Sequence, residues 1–181
     1  MQFGDILKKT LKWEGGFVDD VHDRGGATKY GITIVTLRAL NEDIDEDGQI
    51  TVDDIKDLTI EQAKDIYERA YFIKPKFNLL PDALQPVMFD MGVNHGPSRA
   101  IRILQQVINL VGLATIEVDG AIGPVTVRAA DTSYRHMGHY MINALCDARQ
   151  NFYKGIVLRD PSQERFIRGW TNRNNDFRVT V

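Results

Sequence analysis

The chain has 181 residues, 43% of them hydrophobic and 26% charged, which is enough apolar material for one substantial core. Its 22 basic and 25 acidic side chains are interspersed and leave a net charge of -3, so there is no polyelectrolyte footprint for nucleic acid and no basic patch or apolar span for a membrane anchor. A single cysteine, Cys146, excludes an intramolecular disulfide, and the lack of a Cys/His cluster excludes the usual structural zinc pattern.

The opening residues Met1-Gln2-Phe3-Gly4-Asp5 have neither the basic nor the apolar region of a secretory signal, so synthesis in the cytoplasm without a signal peptide is expected. Phe3, Ile6, Leu7, Thr10 and Leu11 then form a stripe at helical spacing that stops at Gly15-Gly16. A sheet is plausible only between Phe17 and Ile34, and only as a small hairpin. Thr59 with Gln62 reads as a capping box, and it opens a helix whose Ile60, Ala63, Ile66, Tyr67 and Ala70 share a face. A third helix is expected over 82–95, closed by Gly96-Pro97. Ala100, Ile103, Leu104, Val107, Ile108 and Val111 define the next, stopped by Gly112.

The turn-rich stretch from Asp119 to Gly123 follows, and Pro124 is placed to open a short helix. A long helix is expected from about Ser133 to Leu158, with Met137, Met141, Ala144, Leu145, Ala148, Phe152 and Ile156 inside. In the last helix Asp160 caps, Pro161 takes the first turn, and Phe166, Trp170 and Phe177 are presented. The class is mainly α with at most a small β-hairpin after the first helix. No linker interrupts it, and a subtle boundary is expected near Gly96-Pro97 within one compact body.

Glu14 is the residue that points to chemistry. Projected at 100° per residue it falls within about 20° of Phe3 and Leu7, on the apolar stripe and away from Lys8, Lys9 and Lys12. A carboxyl sheltered there loses hydration, and its pKa rises toward that of a general acid near neutral pH. Gly15 and Gly16 leave room beside it for a bulky substrate. As a plain helix C-terminal carboxylate it would be badly placed, because that end of the helix dipole repels negative charge. A glycosidase needs a second group opposite its acid, and Asp23 and Thr28 are near enough for a hairpin to deliver them. Asp19, Asp20 and Arg24 read as a solvated turn, and His22 and His95 as loop or cap histidines.

The runs Trp13-Glu14-Gly15-Gly16-Phe17 and Asp23-Arg24-Gly25-Gly26-Ala27-Thr28-Lys29-Tyr30-Gly31-Ile32-Thr33 closely resemble the opening of glycoside hydrolase family 108, the N-acetylmuramidases also called secretion activator proteins. The resemblance continues in Tyr67-Glu68-Arg69-Ala70-Tyr71-Phe72, in Phe89-Asp90-Met91-Gly92-Val93-Asn94-His95-Gly96 and in Leu104-Gln105-Gln106. Val118-Asp119-Gly120-Ala121-Ile122-Gly123-Pro124 with Thr126 is similar to the family's peptidoglycan-binding region, and Phe166-Ile167-Arg168-Gly169-Trp170 with Arg173 to its closing helix.

The resemblance implies a lysozyme-like helical bundle, with a muramidase region over 1–96 and a peptidoglycan-binding region over 97–181. It also implies cleavage of the β-1,4 bond between N-acetylmuramic acid and N-acetylglucosamine, with Glu14 as the acid and no required cofactor. Phage-type lysozymes have a Glu-x8-Asp-x5-Thr triad; here Glu14-x8-Asp23 is kept and Thr28 comes one residue early. Tyr30, Tyr71 and Asn94 are candidate contacts in the glycan groove, and Phe72 stands where the family usually has tryptophan. By analogy with the family, the wall is reached in the periplasm through a holin or another membrane pore, in a secretion-associated or prophage-like endolysin role.

Asp43-Ile44-Asp45-Glu46-Asp47-Gly48-Gln49-Ile50 matches the first eight positions of a calcium-binding EF-hand loop, with Leu37, Leu40, Ile55 and Leu58 to support flanking helices. Asp43, Asp45, Asp47 and Gln49 are the candidate ligands, and Asp54 holds the twelfth position where a glutamate is usual. A solvated acidic turn accounts for the same residues. Two other functions therefore stand beside the muramidase: a non-catalytic peptidoglycan-binding protein, and a calcium-responsive interaction protein.

Overall fold

Helix α1 (Phe3–Leu11) buries Ile6, Leu7 and Thr10, the residues its stripe selects. The computed structural model describes residues 2–13 and 28–180, and the chain divides into two compact units, Gln2–Ala70 and Tyr71–Val181.

In the first unit, β1 (Thr28–Lys29) and β2 (Ile32–Thr33) pair antiparallel, Thr28 opposite Thr33 and Lys29 opposite Ile32. Tyr30 and Gly31 between them have φ of 52° and 76°, the pair of positive values that a type I′ turn requires. The Tyr67 hydroxyl donates to the Tyr30 carbonyl at 3.3 Å and helps to hold this turn. Thr33 caps α2 (Ile34–Leu40), its hydroxyl accepting from the Thr36 N–H.

Helices α3 (Val52–Asp57) and α4 (Ile60–Tyr67) both begin with capping boxes, Thr51 with Asp54 and Thr59 with Gln62. Reciprocal bonding of this kind satisfies first-turn N–H groups that have no partner within the helix. Ile32, Leu37, Ile55, Leu58, Ala63, Ile66 and Tyr67 are all in the core, whereas Ile60, expected on the same face, is exposed. A π-helical turn, Glu68–Ile73, continues the chain from α4.

In the second unit, a 3₁₀ turn (Phe77–Leu79) precedes α5 (Gln85–His95), which is buried almost all round. Phe77 packs against α5 at Gly92, where a Cβ would come within 2.5 Å of the Phe77 ring. Gly96, with φ of 83°, turns the chain into α6 (Pro97–Val111), which Gly112 ends at φ of 79°. The Gly96-Pro97 step is thus a corner inside this unit.

The loop after α6 is tied down by Gln105. Its amide donates to Asp119 Oδ1 at 2.7 Å and to the Ala121 carbonyl at 3.1 Å, while its carbonyl accepts from the Gly120 N–H at 2.9 Å. This explains why glutamine, aspartate and glycine occur together in these two motifs. Helix α7 (Pro124–Met137) has Pro124 in its first turn as expected, but runs for 14 residues and is not short.

The single long helix expected from Ser133 to Leu158 is two helices. Gly138, at φ 57° and ψ -135°, ends α7, and α8 (Tyr140–Arg159) starts anew. Only glycine adopts that backbone conformation readily.

The inward face of α8 also differs from expectation. Met141, Ile142, Leu145, Cys146, Arg149 and Tyr153 are buried, while Ala144, Ala148, Phe152 and Ile156 are half-buried. An arginine on the buried face shifts the stripe, and polarity alone does not reveal it. The last segment opens as a 3₁₀ helix (Pro161–Phe166), capped by Asp160, and widens into α9 (Ile167–Asn175). The class expected from the sequence, mainly α with a small hairpin after the first helix, is the one found. Among the described residues no helix is long and apolar enough to cross a membrane.

Candidate functional site

Glu14 and Asp23 lie outside the described residues. The regular helix before Glu14 closes at Leu11, with the Trp13 N–H on the Thr10 carbonyl at 2.9 Å. Thr28 is half-buried on β1 and shares the hairpin with Tyr30, over whose ring the Lys29 ammonium stands at 5.7 Å. Tyr71 and Asn94 both belong to the second unit, Tyr71 half-buried on the π turn and Asn94 exposed near the end of α5. Phe72 does not offer a sugar-stacking face. It is 6% exposed and meets Phe89 edge-on at 6.1 Å, so it belongs to the core.

The acidic loop lies between α2 and α3 and brings three of its five candidate residues together. One carboxylate oxygen from each of Asp43, Asp45 and Asp47 lies within 4.8 Å of the others. The loop also organises itself: Asp43 Oδ2 accepts from the Gly48 N–H at 2.8 Å, and Asp47 Oδ1 from the Gln49 N–H at 2.7 Å. The Asp47 N–H pulls the Asp45 carboxyl down, but desolvation and the charges of Asp47, Asp54 and Asp43 outweigh it and leave the group above its ordinary value.

Asp54 is turned to another task. Its two oxygens accept from the Ile44 and Thr51 N–H groups, each at 2.6 Å, so it is buried as the clamp that closes the loop on α3. Burial alone would raise its pKa, and these hydrogen bonds reverse the shift. Oxygen donors at this spacing suit a hard cation, and Asp43 Oδ1 is a buried acceptor without a hydrogen-bond partner.

The second unit holds a charged cluster that sequence reasoning missed. Asp90, fully buried on α5, takes Arg173 of α9 in a fork: Nε lies 3.0 Å from each carboxylate oxygen and Nη2 2.8 Å from Oδ1. Arg149 of α8, also fully buried, brings Nη2 to 2.7 Å from Asp90 Oδ2. The Arg149 Nε–H is shared by the Tyr153 hydroxyl at 2.7 Å and His95 Nε2 at 3.2 Å. Tyr153 passes its own proton on to Asn94 Oδ1 at 3.3 Å. The available signal was the sequence of α5 itself: an aspartate among Phe89, Met88, Met91 and Gly92 cannot stay charged in a core without cationic partners.

His95 is therefore more than an ordinary cap. Burial, followed by the charges of Arg149, Arg173 and Arg99, pushes its pKa from 6.5 down to about 3. Between those values the unfolded chain binds a proton that the folded chain refuses. Stability should therefore fall as pH drops from about 6.5 toward 3, by up to roughly 1.4 kcal/mol per pH unit from this one group. Urea midpoints at pH 7 and pH 5 check this; if His95→Gln loses stability on acidification as steeply as the parent, the histidine is not responsible.

Residues 7–96 match the family described as Glycosyl hydrolase 108, and residues 99–175 the family described as Predicted Peptidoglycan domain. The first match defines a glycoside hydrolase by class, and the second points to peptidoglycan as its polymer. Among solved structures, SagA of Brucella abortus is 33% identical and superposes with a TM-score of 0.74, over 97% of this chain and 90% of that one. The chain belongs to glycosyl hydrolase family 108, and the lysozyme-like helical class goes with that membership. No curated protein matches it.

Proposed function

We propose that the protein hydrolyses the β-1,4 bond between N-acetylmuramic acid and N-acetylglucosamine in peptidoglycan, with Glu14 as general acid. The observation that carries this reading is the family match over residues 7–96, which contains the Glu14-Gly15-Gly16 run. Asp23 serves as the second group that cleavage needs, a water-positioning base or nucleophile, and Thr28 contributes a hydroxyl. Tyr30, Tyr71 and Asn94 contact the glycan. Residues 1–96 carry the cleavage, and 97–181 hold the wall. The enzyme works in the periplasm, which it reaches through a pore such as a holin.

Asp43, Asp45 and Asp47, with the Gln49 carbonyl, hold a structural calcium ion. The clustering of their oxygens and the partnerless Asp43 Oδ1 support this. The ion fastens the loop between α2 and α3 and takes no part in bond cleavage, since Glu14 is remote from it in sequence.

Digestion of purified cell wall, with and without chelator, tests the whole reading. New reducing ends should be muramic acid residues, and chelation should lower the thermal midpoint more than the initial rate. Reducing ends on N-acetylglucosamine would overturn the bond assignment, and binding without release of sugar would make the protein a non-catalytic wall binder. A rate that follows calcium at constant stability would overturn the structural role of the ion.

A further inference from the structure

At the C-terminal end of α5 the second unit has a cavity of about 200 Å³ lined by Asn94, His95, Phe152, Tyr153, Ile156 and Trp170. That is smaller than the roughly 300–1,000 Å³ of drug-sized pockets and of the order of a single sugar ring. Three of its six walls are aromatic, and they are held in place. Trp170 stacks on Tyr153 at 5.2 Å and on Phe166 at 5.9 Å, and His95 meets Phe152 edge-on at 5.1 Å.

The polar groups of this cavity have a defined direction of donation, set by the buried arginine behind them. Arg149 can only donate, so the Tyr153 oxygen and His95 Nε2 act as acceptors toward it. The Tyr153 proton must then go to Asn94, which orients the Asn94 amide with its carbonyl toward the tyrosine and its Nδ2 hydrogens away. His95, accepting at Nε2, carries its proton on Nδ1. Neither Asn94 Nδ2 nor His95 Nδ1 has a hydrogen-bond partner among the described residues. The cavity thus combines aromatic and aliphatic walls with two neutral N–H donors, and it has no carboxylate.

We infer that this cavity is a subsite for an N-acetylated amino sugar, with the acetamido carbonyl accepting from Asn94 Nδ2 and His95 Nδ1 and the sugar ring and acetyl methyl on the Trp170, Phe152 and Ile156 walls. The inference rests on the glycan reading above and adds to it which chemical group of the polymer is recognised, and by which unit. A carbonyl oxygen has two lone pairs and takes both donors at once. A hydroxyl in its place brings a proton that finds no acceptor. An ammonium group would leave both donors unmet and sit close to Arg149 and Arg99.

The test uses the full chain with two neutral trisaccharides, tri-N-acetylchitotriose and cellotriose, which differ in having acetamido or hydroxyl at the same ring carbon. The acetylated sugar should bind about tenfold more tightly, the order expected for a pair of hydrogen bonds in a partly dry site. Asn94→Ala and His95→Phe should bring that ratio close to one, and Trp170→Ala should weaken both sugars. Asn94 is exposed, so its variant remains decisive even if Trp170→Ala does not fold. Equal binding of the two sugars by the parent, or a preference that survives Asn94→Ala in a protein of unchanged thermal midpoint, overturns the subsite. Wall digestion by the same preparations separates the two claims. Acetyl preference without cleavage refutes the muramidase and keeps the subsite, and cleavage with an Asn94-insensitive preference does the reverse.

Discussion

Asp90→Asn should destabilise the second unit by about 3–5 kcal/mol, the range found when one partner of a buried ion pair is removed. The substitution keeps the shape of the side chain and removes only its charge. Arg149, wholly buried, and Arg173, 7% exposed, then lose the carboxylate that both of them contact. Against a total stability of about 5–15 kcal/mol for an ordinary domain, that is roughly a fifth or more of what is available. In urea the midpoint should move down by roughly 1–5 M if the slope is 1–3 kcal/mol per molar. A loss under about 1 kcal/mol would mean that water reaches the cluster on substitution and that its charges are not held dry. Replacing all three residues with apolar side chains of similar volume should restore much of the lost stability, since what destabilises is the stranded charge.

Glu14→Gln should reduce wall cleavage by about 10²–10⁴-fold, the usual contribution of a positioned general acid, while leaving the thermal midpoint unchanged. Glutamine matches glutamate in size and can hydrogen-bond the glycosidic oxygen, but it has no acidic proton to give to the leaving group. Initial rates of reducing-sugar release from purified wall, measured beside a melting curve, check both halves. A variant that cuts at close to the parental rate removes Glu14 from the chemistry, and Asp23 becomes the carboxylate to examine next.

Features decided within one or two helical turns were legible in the sequence. Thr59 with Gln62, Asp160 with Ser162, and the stops at Gly96 and Gly112 all act through backbone groups a few residues away, and they occur where residue type places them. The acidic loop was legible for the same reason, because alternating aspartates bring their side chains to one centre. Asp54 was misjudged by position: the twelfth place of a loop is also the third place of a helix, and one of its oxygens caps α3 at the Thr51 N–H while the other holds the Ile44 N–H of the loop. The Tyr30-Gly31 turn was less visible, since tyrosine is an uncommon residue for positive φ.

Interactions between distant segments were hidden. The face of α8 was assigned from polarity, and Arg149 reversed that choice because its partner Asp90 lies on another helix. His95 looked like a cap since nothing near it in sequence shows that Arg149 and Arg173 approach it from α8 and α9. The cavity beside it is formed by residues 94, 95, 152, 153, 156 and 170, and no local pattern links those positions.

The order of synthesis gives the Asp90 cluster a further consequence. Asp90 leaves the ribosome 83 residues before Arg173, which at 5–20 residues per second is a delay of roughly 4–17 s. Until then Arg149 is the one cation of the cluster that can follow the α5 carboxylate out of water, and so the helix reaches its dry seat with full compensation only when Arg173 arrives. The second unit is thus kept from closing on a half-made chain, and its final packing is tied to the arrival of the last helix.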